Sequence, residues 1–296
     1  MDVLLRAARL IQPTLLLDPP EPEIYTLGGK RLVVASIPSH GGPLYQSGGV
    51  CWIRRGTYTV PLSVPEMLEA AHDRGLLSWE LQSAYNATMR DIDESRVETY
   101  LAHSSPKSRH TGRLGSLQEV LIGMGCARET KQGELLPTNA GMLFFGRHPQ
   151  HHIFQSEVVC VLYRDTLGLG GFADRKIVTG TTLEMIDETE AFLNKYIAVA
   201  GKIEGWKRID TPEYPIEALR EAVVNAVVHR NYSRTGESIR LFYYTDRIEI
   251  HSPGLLLPGI TVEQMRRGEV TSRLRNPILA TLLSAIAPKV IGNVVE

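Results

Sequence analysis

The residues best spaced for chemistry are Glu221, Asn225 and His229, at i, i+4 and i+8 in the run EYPIEALREAVVNAVVHRNY over residues 213–232. With 3.6 residues per helical turn, that spacing sets a carboxylate, an amide and an imidazole along one strip of a helix. Side chains of these types held together can bind a metal–phosphate group and position a water. The same spacing also describes a helix border whose polar groups bond to one another, and the residues alone leave both readings open. Ala218, Leu219, Ala222, Val223, Ala226 and Val227 form an apolar stripe on the same helix. The polar strip runs close to it and is expected to be partly covered.

A second group is Arg54, Arg55 and Tyr58, with Trp52 and Tyr45 nearby. Arginines interleaved with aromatics suit phosphate contact and base stacking. The plainer alternative is a strand pair whose arginines are solvated while Trp52 packs. Arg266, Arg267, Arg273 and Arg275 lie among Glu263 and Glu269 and read as a solvated face; Lys107, Arg109, His110 and Arg113 read as a polar loop. His148, His151 and His152 lack acidic or cysteine partners at ligand spacing, so no metal is expected there.

These groups need elements to hold them. Pro215 opens a helix through His229, and strands are expected at Ile239–Tyr244 and Arg247–His251, followed by the broken loop SPGLLLPG and a last helix from Asn276 to Ile286. Upstream, Gly28-Gly29 between two β-rich runs signals a hairpin, Gly56-Thr57 marks a second turn, and Ser63-Val64-Pro65-Glu66 starts a helix with capping-box spacing. Residues 76–130 read as mostly helical, 103–113 as a mobile polar loop, 138–147 as a threonine-capped apolar helix or strand, and 158–163 as a buried strand. Residues 181–200 read as a helix and 201–212 as a loop. Strands in adjacent pairs favour an α+β fold over a doubly wound sheet.

The chain has 296 residues, a net charge of -1 and 22% charged residues, so any nucleic-acid contact must use a local patch. Three cysteines outside any Cys-x-x-Cys pair read as reduced thiols of a cytoplasmic protein. No run reaches the ~18 apolar residues of a membrane span. Residues 1–17 read as a short helix broken at Pro13 rather than a signal peptide, since Arg6 and Arg9 interrupt them.

The runs ALREAVVNAVVHRNY, DRIEIHSPGLLLPGI and RLRNPILATLL, in that order over residues 213–286, resemble the C-terminal domain of RecG-like proteins and predicted transcriptional regulators. That domain belongs with the GHKL-type ATP-binding fold. The resemblance implies that Glu221 activates water, that Asn225 binds magnesium, and that His229, Ser252 and Gly254 border a Mg-ATP site. It also departs from the family: Ser252 stands where an aspartate reads adenine, and Leu256 replaces the second glycine of the motif. No phosphate loop of the type G-x-x-x-x-G-K-[ST] is present, so helicase motor activity is not implied.

Residues 24–75 resemble the second half of a Schlafen AlbA-type domain, carried by RLVVASIPSHGGPLY and CWIRRGTYTVPLSVPEMLEA; LLPTNAGMLFFGRHPQ is similar to a further stretch of the same family. The first half of that domain is missing, which implies a chain that starts mid-domain. The expected organisation is a partial AlbA-like β-rich lobe over 1–75, a helical and mixed connector over 76–200, and a GHKL-like sandwich over 201–296. The resemblance implies a DNA-binding regulator that is cytoplasmic and homo-oligomeric, with a divergent ATP-binding domain. Alternatives are a Mg-ATP-dependent ATPase or switch, and a degenerate dimerisation module. Enzymatic turnover is not favoured, because part of the nucleotide pocket is altered.

Overall fold

The computed structural model describes residues 2–37, 44–73, 76–104, 115–204, 207–257, 260–269 and 273–286. The fold is α+β, and the chain divides into two compact units, Met1–Leu77 with Leu255–Val270, and Ser78–Gly254 with Thr271–Glu296.

The first unit opens with α1 (Asp2–Leu10) and the hairpin β1 (Glu23–Leu27) and β2 (Lys30–Val34). Gly28 and Gly29 both take positive φ, +56° and +79°, the conformation a two-residue hairpin turn needs. Next comes a meander of β3 (Gln46–Ser47), β4 (Val50–Arg55) and β5 (Tyr58–Pro61), turning at Gly56. It leads into α2 (Val64–Asp73). The Glu66 carboxylate accepts hydrogen bonds from the Ser63 N–H and hydroxyl at 2.8 and 2.7 Å, satisfying donors at the helix start as the Ser-x-x-Glu spacing predicts.

In the second unit, α3 (Glu94–His103) is capped by Asp93 and α4 (Leu117–Gly123) by a Ser116–Glu119 capping box. The short hairpin β6 (Ala127–Glu129) and β7 (Leu135–Pro137) delivers the chain to α5 (Asn139–Phe145), capped by Thr138 and buried along its whole length. Then follow β8 (Val158–Tyr163), β9 (Phe172–Val178), α6 (Thr182–Tyr196), the hairpin β10 (Val199–Glu204) and β11 (Lys207–Pro212), α7 (Ile216–Val228), β12 (Ile239–Tyr243) and β13 (Ile248–His251). The segment 255–270, which belongs to the first unit, carries α8 (Val262–Arg266), and α9 (Pro277–Ile286) returns to the second.

The main sheet runs β13-β12-β8-β9, with β12 parallel to β8 and the other pairs antiparallel. One face carries Val158, Cys160, Ile239, Leu241 and Tyr243 into a core shared with Ile186 and Leu193 of α6, Val224 and Val227 of α7, and Leu279 and Leu283 of α9. Burial of this apolar face is the main stabilising term.

Three sequence expectations change. Residues 76–93 hold one 3-10 turn at Met89–Asp91 instead of a helix. Their backbone is committed elsewhere: Ala84 N–H bonds Pro137 O, Asn139 N–H bonds Gln82 O, and the Asn139 amide bonds Trp79 O. Of residues 201–212, expected as a loop, 201–204 belong to β10 and 207–212 to β11, which pair antiparallel. The expected division at residue 200 runs through a single sheet, because β8 and β9 lie before it and β12 and β13 after it. Most of the expected polar loop, residues 105–113, lies outside the described residues.

Candidate functional site

The three C-terminal sequence runs meet at the carboxyl end of α7. The buried Asn276, just before α9, donates from its amide to Val228 O at 2.6 Å and Arg230 O at 2.8 Å. Asn231 N–H donates to Pro253 O at 2.8 Å, and the Ser252 hydroxyl donates to Ala226 O at 2.7 Å. The last turn of a helix leaves carbonyls without intrahelical partners, and here side chains from two distant loops supply them. Tyr232 adds a bond from its hydroxyl to Val227 O at 3.0 Å.

Along α7, Val223, Val224, Ala226, Val227 and Val228 are buried, whereas Ala218, assigned to the apolar stripe, is exposed. Glu221, Asn225 and His229 are all half-buried and occupy the border of that packed face, as their spacing requires. The structure brings them into one strip. The border reading with mutual hydrogen bonds fails: among the described residues, the side chains of Glu221 and Asn225 make no hydrogen bond or ion pair. Burial, with the Arg275 charge nearby, holds His229 below the ordinary imidazole range, so it is neutral at pH 7.

Gly254 sits at φ +130°, and a Cβ there would lie 3.1 Å from Asn231 Cβ and 3.7 Å from Arg275 Nη2. The glycine is demanded by this close approach to the α7 end. Ser252 is turned inward onto the helix carbonyl, so its proton is committed and only an oxygen lone pair is left for a ligand. Within the described residues no cluster of three His, Cys, Asp or Glu side chains could hold a metal by itself.

Sequence reasoning passed over Arg230. Its side chain is fully buried, its Nη2 donates to Gln155 O at 3.2 Å and Glu237 O at 2.6 Å, and it lies 4.5 Å over the Tyr232 ring. Among the described residues, Nε and Nη1 have no hydrogen-bond partner. Asn276 and Asn231 were also missed as joints. The only available signal was their position inside the quoted runs, since nothing in an isolated Asn indicates a long-range carbonyl partner.

The amino-terminal arginines do not form one patch. Strand alternation puts Arg54 with Trp52 on one face of the β4–β5 ribbon and Arg55 with Tyr58 on the other. Arg54 donates to Thr59 Oγ1 at 3.0 Å and Gly56 O at 3.1 Å, and Trp52 is 49% exposed beside it. Arg55 is paired with Glu66, whose carboxyl the Ser63 donors and this guanidinium hold down at about 2. Tyr45 lies outside the named strands.

Comparison with known proteins covers part of this ground. Residues 236–293 match the family described as "Putative ATP-dependent DNA helicase recG C-terminal". The match takes in Ser252, Gly254 and Asn276 and starts after α7, so Glu221 and Asn225 fall outside it. Residues 67–157 match a domain of unknown function (DUF8451). No curated protein matches. The crystal structure of the DIP2311 protein from Corynebacterium diphtheriae is similar at 21% identity and a TM-score of 0.52, over 94% of this chain and 52% of that one. The likeness is one of fold, and this chain spans about half the length of that relative. The C-terminal region is thus RecG-C-terminal-like, an ATPase-like module. Among the described residues, no helix is long and apolar enough to cross a membrane.

Proposed function

We propose that this chain is a cytoplasmic regulator whose C-terminal region binds a magnesium–nucleoside triphosphate without turning it over efficiently. The observation that carries the reading is the pair Glu221 and Asn225: half-buried, one turn apart, and with no side-chain bond among the described residues. Their polar atoms are not among the buried, unpartnered ones, so both side chains are open to a ligand oxygen or a bound water. The Asn225 amide oxygen suits magnesium, which takes few protein ligands and completes its octahedron with phosphates and waters. Bound metal would neutralise phosphate charge. Glu221 would hold a water, and neutral His229 could donate to a phosphate oxygen. The base end fits less well: Ser252 lacks the charge of an aspartate and has given its proton to Ala226 O, so discrimination between adenine and guanine should be weak.

Titration calorimetry with Mg-ATP and Mg-GTP tests this. Saturable binding of both in the micromolar range, abolished by Asn225→Ala, supports the reading. No heat up to millimolar nucleotide overturns it.

A second reading, DNA binding by the first unit, is favoured by the exposed Trp52 and Arg54 on one ribbon face. Salt-dependent binding of duplex DNA, weakened by Arg54→Ala and unchanged by Arg55→Ala, would support it. Binding indifferent to salt and to Arg54 would exclude it.

A further inference from the structure

Among the described residues of the second unit, α6, α7 and α9 pack against one face of the main sheet; the opposite face holds an ordered array of rings and cations. Strand pairing places His251, Arg240, Val159 and Ile177 in one row across the sheet, and Glu249, Phe242, Val161 and Arg175 in the next. Tyr163 and its cross-strand partner Phe172 extend the array. The helix-side positions are already engaged: Lys176 pairs with Glu188, and Asp174 with Lys195. On the open face, Phe172 is 56% and Ile177 48% exposed, and Arg175 and Arg240 are exposed as well.

The rings are braced. Tyr163 stacks on Tyr244 at 4.8 Å with planes 9° apart, the Arg247 guanidinium lies 4.1 Å over Tyr244, and Tyr163 meets Phe242 edge-on at 5.8 Å. Arg247 is anchored by Glu249 at 2.6 Å, Asp246 at 2.9 Å and the Thr166 carbonyl at 2.9 Å. Glu249 also accepts from His251 at 3.0 Å. Glu249 and Asp246 share the single Arg247 cation, and Arg175 and Arg240 have no ion-pair partner among the described residues. Beside Arg240 and His251 the face opens into a cleft of about 260 Å³, also lined by Glu237, Ser238, Ser252 and Pro253.

We infer that this face binds single-stranded nucleic acid, with bases stacked on Phe172 and Phe242 and phosphates held by Arg175 and Arg240. The exposed Phe172 ring and the half-buried edge of Phe242 offer stacking surfaces that an unpaired base can use, and flanking arginines track a backbone. A duplex keeps its base faces stacked internally, so it can use the arginines but not the rings. Two exposed arginines without an ion-pair partner among the described residues favour a polyanion over a second copy of the chain as occupant. The site does not use Glu221 or Asn225, although its cleft borders Ser252.

The test is fluorescence anisotropy of a labelled oligothymidylate and of a duplex of equal length, with the full chain. The single strand should bind at least about tenfold tighter than the duplex, with affinity falling as salt rises. Phe172→Ala should weaken it about tenfold, and Arg175→Glu with Arg240→Glu should abolish it. All three residues are exposed, so thermal unfolding should be unchanged. Arg54→Ala should leave single-strand binding intact, which separates this site from the β4–β5 ribbon. Equal affinity for duplex and single strand, indifference to Phe172→Ala, or a mass by sedimentation that doubles and falls back with Arg240→Glu would overturn the inference.

Discussion

The Ser252 hydroxyl donates to the carbonyl oxygen of Ala226 at 2.7 Å, tying the Ser-Pro-Gly turn to the last turn of α7. This bond makes Ser252 a structural joint. Ser252→Ala should cost about 1 kcal/mol of unfolding free energy by urea titration, with Mg-ATP affinity within about twofold of the parent. A large loss of affinity with unchanged stability would restore Ser252 as a base-reading residue.

Asn276 holds the same helix end from the other side. Its amide serves two carbonyls, Val228 O and Arg230 O, inside the core. Asn276→Ala leaves both without this donor and should destabilise the chain by roughly 2–4 kcal/mol. Asn276→Asp keeps the volume but replaces the donor with an acceptor, and should be at least as damaging. Thermal unfolding of the two variants side by side checks the order.

Gly254 is held at φ +130° with a Cβ's worth of space closed by Asn231. Gly254→Ala should cost roughly 1–3 kcal/mol through backbone strain and contact. The effect should be partly reduced in an Asn231→Gly background, because the contact with the Asn231 Cβ goes away while the backbone strain stays. A double-mutant cycle measures that coupling.

Glu80 provides a pH signature. Its carboxylate accepts from the N–H groups of Leu279 at 2.8 Å and Ile278 at 3.0 Å at the start of α9, yet burial pushes it up to about 7 against the pull of those donors. The folded state holds this proton more tightly than the unfolded chain does, whose carboxyl titrates near the ordinary value. The stability contribution is complete below the unfolded value, decays as pH rises through about 7, and is then level. Over that window stability should fall by up to about 3 kcal/mol. Glu80→Gln should flatten the profile. A parent whose stability is constant from pH 5 to pH 8 would contradict it.

Much of the local structure was legible because it is locally caused. The Gly28-Gly29 and Gly56 turns, the Ser63–Glu66 start of α2, the Thr181 cap of α6 and the span of α7 depend on side chains within a few residues of the backbone they serve. What failed was set from a distance. Residues 76–93 stay out of a helix because their carbonyls and N–H groups are taken by residues more than 50 positions away. The β10–β11 hairpin gave no apolar alternation to read, with Lys202, Glu204, Lys207, Arg208 and Asp210 along it.

For the site, the sequence by itself determined that Glu221, Asn225 and His229 share one strip, since helical periodicity dictates it. The resemblance read from it also implies that Ser252 stands where the family carries an adenine-reading aspartate. Only the tertiary structure decided that the strip is half-buried, that Glu221 and Asn225 make no side-chain bond among the described residues, that Ser252 faces the helix, and that Arg54 and Arg55 point to opposite faces with Arg55 taken by Glu66. The open aromatic face was likewise invisible in the sequence. Its residues come from four strands spread over residues 158–251, and only the register of parallel β8 and β12 lines Val161 up beside Phe242. Period-two alternation tells which residues of a strand share a side; the pairing of strands distant in sequence decides which side meets water.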